Sequence, residues 1–145
     1  AELPDGADDR DLLWRGVLDG TVDAIVDDDV AGPRAGLSAM WTEAKRRRIP
    51  LSTLLPLFTT GPAAVAGLAG AGEIAVGRPA NLTVFGPDRP TMAEDRARRE
   101  VVGSPAGRAL VGRFLHTWLH GATVFDATAA PSPRRTPRGQ LLSAG

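Results

Sequence analysis

Two groups of residues in this 145-residue chain have the types and spacing for metal or acid–base chemistry. Three consecutive carboxylates, Asp27, Asp28 and Asp29, follow the apolar run TVDAIV, and two histidines, His116 and His120, stand four apart in a β-like run. Carboxylates suit a hard divalent cation or a proton transfer. On an extended backbone neighbouring side chains point to alternating sides, so Asp27 and Asp29 diverge from Asp28 and cannot close on one ion without a tight turn. A calcium loop needs alternate acids, a glycine in sixth place and a distant glutamate, a set this stretch does not supply. On its own physics the triplet reads as a solvated loop. The two histidines, four apart on a β run, would share a strand face, which is a metal-binding spacing, yet no third ligand is evident. No G-x-S-x-G elbow accompanies the serines and threonines. The run GLAGAGE lacks the preceding strand and following helix of a phosphate cradle and reads as a linker.

Whatever positions these residues is one ordinary domain's worth of chain, 43% hydrophobic. Seventeen Lys plus Arg balance seventeen Asp plus Glu. Without a net field, binding to a nucleic acid or an acidic membrane surface is disfavoured. There is no cysteine, hence no disulfide framework and no thiolate metal site. The longest apolar runs fall well short of the roughly 20 residues of a membrane helix. The acidic start AELPDGADDR is unlike a secretory signal. The expectation is a soluble, cytoplasmic protein.

A helix is expected from Asp8, whose first turn gathers carboxylates, to a stop at Gly20, with Leu13 over Val17 and Trp14 over Leu18. TVDAIV, β-branched and apolar, fits a buried parallel strand. Leu37, Met40, Trp41 and Ala44 follow at helical spacing, and the basic residues 45–48 fit the last turn of that helix through its dipole. IPLSTLLPLF restarts a helix, with Ser52 or Thr53 as cap and Pro56 near the first turn. Gly61 and Pro62 then break it before a short helical AAVAGL. From Gly72 the character is β: runs in GEIAVGRPANLTVFGPD, and two more in GRFLHTWLHGATVFD around Gly121. The coarse division is 1–71, helical with one strand; 72–126, all β; and 127–145, a proline-rich, basic, poorly ordered tail. One strand is not a sheet, so the first segment has the look of a part of something larger.

Four separated segments carry a resemblance in the right order: LLWRGVLDGTVDAIVDDD, AMWTEAKRRRIPLSTLLPLFTTGPAAVAGL, GEIAVGRPANLTVFGPD and SPAGRALVGRFLHTWLHGATVFD. Together they resemble the C-terminal third of the cyclic amidohydrolases, allantoinase and dihydroorotase, with WTEA and TWLHG leaning to allantoinase. The resemblance implies an α/β fold: the end of a (β/α)8 barrel, with residues 22–26 its last strand and 34–48 the following helix. Residues 72–86 and 108–125 would then be the C-terminal half of a small β-sandwich. It also implies a family reaction in which two divalent metals, usually zinc, generate hydroxide to attack a cyclic amide. In that family an aspartate ending the last strand ligates metal and handles the proton. That aspartate matches Asp28.

The departures from the family pattern are as informative. Asp29 stands where a histidine is usual, VAGPRAGL replaces a longer substrate loop, and the family's Pro-Pro-Leu-Arg survives only as ELPDG. His116 and His120, the only histidines, fall in the sandwich portion. The chain alone is therefore expected to bind no cofactor and to be inactive, Asp28 being a vestigial catalytic and metal-ligand position unless another chain supplies the other ligands. The expected partner is a complementary barrel chain or a second copy, because the apolar strand and the helices bearing Trp14 and Trp41 lack barrel neighbours. A non-catalytic scaffold or subunit module is the alternative, and a small stand-alone enzyme built on Asp28 a third, weaker one.

Overall fold

The computed structural model describes residues 6–26, 36–91 and 110–129, with side chains from residue 9 onward. Four helices come first: α1 (Gly6–Asp19), α2 (Gly36–Arg46), α3 (Leu51–Phe58) and α4 (Thr60–Val65). An antiparallel meander follows, β1 (Leu82–Pro90), β2 (Val111–Leu119) and β3 (Ala122–Asp126), in that spatial order. The molecule is thus mixed α/β.

Helix α1 buries Trp14 and Val17, three residues apart on one face. It stops where expected, at Gly20 with φ 80°, and the Asp19 carboxylate accepts hydrogen bonds from the Thr21 amide (2.9 Å) and hydroxyl (2.6 Å). Helix α2 buries Leu37, Ser38, Trp41 and Ala44, close to the stripe its sequence predicts. Its end is a Schellman closure: the Arg48 amide bonds the Lys45 carbonyl (3.1 Å) and the Ile49 amide bonds that of Ala44 (2.9 Å), with Arg48 at φ 60°. The basic run is thus divided, Lys45 and Arg46 ending the helix and Arg47 and Arg48 lying beyond it.

The next turn corrects two expectations. Neither Ser52 nor Thr53 caps α3; Pro50 is the N-cap, without a side-chain hydrogen bond, and its carbonyl accepts the Thr53 amide (3.0 Å). A proline fits that place because it presets an extended backbone ahead of the helix, and Ser52 and Thr53 then fall inside the first turn, too late to cap it. Pro56 is the sixth helical residue, past the first turn, where it has no N–H for the ladder. The helix ends soon after, at Thr59 (φ −127°, ψ −86°), two residues before the expected break. Gly61 and Pro62 belong to the first turn of α4, where a missing amide costs nothing.

A further difference concerns residues 22–26, expected as a strand. They pair with no strand among the described residues; the Val22 amide turns back to the Gly16 carbonyl (3.0 Å) and the Ile25 amide bonds the Leu57 carbonyl (2.8 Å). β-propensity alone cannot make a strand, because the ladder needs a neighbour. Likewise Glu73–Val76, read as a β run, lies in no strand, and Ile74 and Val76 are exposed.

In the meander Val84 faces His116 and His116 faces Asp126, with register shifts between Val84 and Phe85, between Gly86 and Pro90, and between Thr117 and Trp118. β2 and β3 are joined by His120 and Gly121 alone, both at positive φ (49° and 77°), the signature of a type I′ turn. The core joins Trp14, Val17, Trp41, Ala44, Ile49, Leu54 and Leu57, with Val22, Ile25, Phe85 and Val111 packed against it. Trp14 and Trp41 are therefore covered, at 8% and 9% exposure, whereas α1 leaves Leu12, Leu13 and Leu18 exposed. The two helices fold toward one another, so the large rings fill a shared interior.

Helix α2 is also what fastens the sheet. The Trp41 indole N–H donates to the Pro87 carbonyl (2.8 Å), the Thr42 hydroxyl oxygen accepts the Val111 amide (3.0 Å), and Lys45 pairs with Asp88 (2.8 Å). Positions 41, 42 and 45 share a helical face, so one side of α2 sits on the strands.

Candidate functional site

Asp28, the residue expected to be catalytic and metal-ligating, lies outside the described residues, as do Asp27 and Asp29. The chain on either side of them is anchored: Ile25 is hydrogen-bonded to Leu57, and α2 begins with Leu37 and Ser38 buried. Asp23, just before, is exposed.

The histidines are not on one strand face as their spacing suggested. His116 lies in β2, whereas His120 is the first residue of the turn, where left-handed backbone removes it from the strand alternation. The His120 amide donates to Asn81 Oδ1 (2.8 Å), an interaction any residue there could make. His116 stacks on Trp118, with ring centroids 5.6 Å apart and 22° between planes. Its Nδ1 is 3.5 Å from Asp126 Oδ1. That carboxylate already accepts the Thr128 hydroxyl (2.7 Å) and amide (2.8 Å), which chiefly hold its pKa below the ordinary value, with His116 a smaller contribution. One imidazole and one carboxylate make two donors, and a stable divalent site asks for three or four.

Among the described residues no three His, Cys, Asp or Glu side chains come together. The whole sequence holds two histidines and no cysteine. The donors among the described residues do not fit a two-metal centre.

What sequence spacing under-read is an electrostatic knot at the corner of α1 and α2. Arg47 donates to Asp11 (2.7 Å) and Glu43 (2.7 Å), and its guanidinium lies 5.3 Å over the Trp14 ring. Glu43 also takes Arg46, whose hydrogen bond is the main reason its carboxyl falls to about 2 against the opposing effect of burial. The spacing Glu43, Arg46, Arg47 was a legible i, i+3, i+4 signal. With Lys45 on Asp88 and these two on Glu43 and Asp11, three charges of the basic run are engaged locally.

A family model described as the amidohydrolase family matches residues 19–125, and the chain belongs to that family. Within it the chain is allantoinase-like. An allantoinase of Streptomyces avermitilis is 31% identical over 98% of this chain and 38% of its own length. A dihydroorotase of Lactiplantibacillus plantarum is 33% identical over 82% of this chain and 33% of its own. Among solved structures, a D-hydantoinase superposes with TM-score 0.65 at 23% identity over 82% of this chain and 32% of that one. One from Bacillus sp. AR9 gives 0.63 at 20% identity, over 80% and 31%. These two support the fold. The chain spans little more than a third, at most, of the relatives named here.

Proposed function

We propose that this chain is the closing portion of an allantoinase-type cyclic amidohydrolase, and that by itself it is catalytically silent. In this reading residues 1–71 are the last strand and outer helices of a (β/α)8 barrel and residues 72–126 are half of a small β-sandwich. The completed enzyme would hydrolyse a cyclic amide of the allantoin or dihydroorotate class with two divalent metals, zinc by preference. The observation that carries it is the similarity to an allantoinase along 98% of this chain. Silence of the isolated chain is supported by its donors, two histidines in all, one in the hairpin strand and one in its turn. Asp28 is the one position matching a family ligand, and it would handle the proton. The cysteine-free composition supports a cytoplasmic setting.

A second reading, a scaffold or subunit module without catalysis, is favoured by Asp29 in the place of a histidine and by the short VAGPRAGL loop. The match to the Streptomyces protein runs over 174 positions, more than the 145 of this chain, so that relative carries residues this one lacks.

The test is a ring-opening assay on allantoin and dihydroorotate across a zinc series, with the purified chain alone and with a co-expressed polypeptide supplying the rest of an amidohydrolase barrel. The expected result is no turnover alone and zinc-dependent turnover with the complement, abolished by Asp28→Asn. Turnover by the isolated chain would refute the proposal. A complex that forms but stays inactive would favour the scaffold.

A further inference from the structure

We propose that Asp19–Gly20 is a site of spontaneous backbone modification, at which the chain passes from the α-carboxyl to the side-chain carboxyl of Asp19 through a cyclic imide, and that Thr21 is the brake on that reaction. The place is the end of α1. An aspartate side chain can close on the amide nitrogen that follows it, and glycine obstructs the approach least because it has no side chain. Asp-Gly occurs twice in the sequence, at Asp5–Gly6 and Asp19–Gly20. At the second, both residues are exposed, Gly20 stands at φ 80° just beyond the helix, and nothing lies within 4 Å of a Cβ built there. The ring that closure requires therefore has room.

What opposes closure is the next residue. Asp19 Oδ1 accepts both the Thr21 hydroxyl (2.6 Å) and the Thr21 amide (2.9 Å). Those bonds, the hydroxyl first, hold the carboxyl below its ordinary value. Closure runs through the protonated acid: the Gly20 nitrogen loses its proton and bonds to Asp19 Cγ, and the carboxyl hydroxyl leaves with that proton as water. An ionised carboxylate has no hydroxyl to release and repels the attacking nitrogen's electron pair. Water then opens the imide. Breaking the bond from nitrogen to Cγ restores aspartate; breaking the bond from nitrogen to the former main-chain carbonyl leaves isoaspartate, with one more methylene in the backbone and a free α-carboxylate. Water is lost and regained, so no other reactant is needed.

The added methylene falls between α1 and the segment 21–26, where the Val22 amide bonds the Gly16 carbonyl (3.0 Å) and Val22 packs on the core. Isomerisation releases that bond. The reaction uses neither Asp28 nor a metal, and holds whether or not the chain completes an enzyme.

The experiment is prolonged incubation of the purified chain at neutral pH, with aspartate and isoaspartate peptides separated by liquid chromatography and identified by electron-transfer fragmentation. Isoaspartate should accumulate at Asp19, and in Thr21→Val about fivefold faster, the worth of one ordinary hydrogen bond. Thr21→Ser, which keeps the hydroxyl, should stay at the parent rate, and Gly20→Ala should slow the reaction. Asp5–Gly6, followed by Ala7, is the internal reference and should age equally in all of them. In the isomerised fraction the Val22 amide should exchange with deuterium about tenfold faster than in fresh protein. Absence of isoaspartate at Asp19 in the parent and Thr21→Val alike overturns the proposal. So do equal rates in those two, a Thr21→Ser rate equal to that of Thr21→Val, Gly20→Ala ageing as fast as the parent, or unchanged Val22 exchange. Acceleration in Thr21→Val accompanied by loss of the native Trp14 and Trp41 emission overturns it too, because the cause is then unfolding.

Discussion

Gly112 packs against Phe85 of β1 and Trp41 of α2 with no room for a side chain, and replacing it with alanine tests whether that contact holds the two layers together. The residue sits at φ 93°, which a side chain tolerates poorly. A Cβ built there would run into Phe85 Cζ and lie 3.0 Å from Trp41 Cδ1. The backbone strain is worth about 1–2 kcal/mol. Forcing Phe85 and the indole aside adds about 1–3 kcal/mol, the usual cost of overpacking a filled core. The sum, roughly 2–5 kcal/mol, is a large part of a small domain's total stability. Gly77 supplies the control: its φ is 85°, close to that of Gly112, but nothing lies within 4 Å of its would-be Cβ. Gly77→Ala should therefore show only the strain. Urea unfolding followed by tryptophan emission should give the larger midpoint shift for Gly112→Ala, and adding Phe85→Leu to Gly112→Ala should recover part of it. Equal losses for the two glycine variants, or no recovery with Phe85→Leu, would refute the close-packed junction.

Other consequences are read by the same unfolding experiment. Arg48→Gly should stabilise by about 1 kcal/mol, since the C′ position of a Schellman closure favours glycine and Arg48 holds it at φ 60°. His120→Asn should leave stability unchanged or raise it by a few tenths of a kcal/mol, because Asn-Gly is the preferred type I′ pair. Trp41→Phe should cost about 1–2 kcal/mol, largely by leaving the Pro87 carbonyl without its indole donor. Glu43 gives a pH dependence: its folded pKa is about 2 against an ordinary 4.5, so its contribution is complete above pH 4.5 and lost as pH falls toward 2. With Arg46 60% exposed, that contribution is discounted to about 1–2 kcal/mol. Stability of Glu43→Gln should accordingly vary less between pH 5 and pH 2 than that of the parent.

The helices were legible because each carries a signal that acts locally. The Leu37, Met40, Trp41, Ala44 stripe and the Gly20 stop are properties of a few neighbouring residues, and both reappear in the structure. The hairpin of β2 and β3 was legible for the same reason, since Gly121 marks its turn. The misreadings occur where a distant partner decides. TVDAIV has strand composition, but pairing depends on a neighbour that no local pattern reveals. Ser52 and Thr53 are good caps in general, yet Pro50 opens the helix earlier. The two histidines looked co-facial because strand alternation was extended one residue too far, into the turn at His120. Asp28 was singled out by resemblance, and its own charge pattern carried no comparable signal.

The interactions that hold this chain together and the residues matched to chemistry are separate sets. Trp41, Thr42 and Lys45 fasten the sheet, Arg47 ties α2 to α1, and the Ile25–Leu57 bond pins the segment leading to the acidic run. None of these contacts involves His116, His120 or Asp126. Hence α2, whose one face carries the meander, is also the first described element after the acidic triplet. The described chain after residues 27–35 is thus α2 on the sheet, and the described chain before them is tied to α3 through Leu57. If the completed enzyme uses Asp28, the α2–sheet junction is a described support on one side of it. Gly112→Ala should then disturb the reaction of a reconstituted enzyme more than Gly77→Ala does.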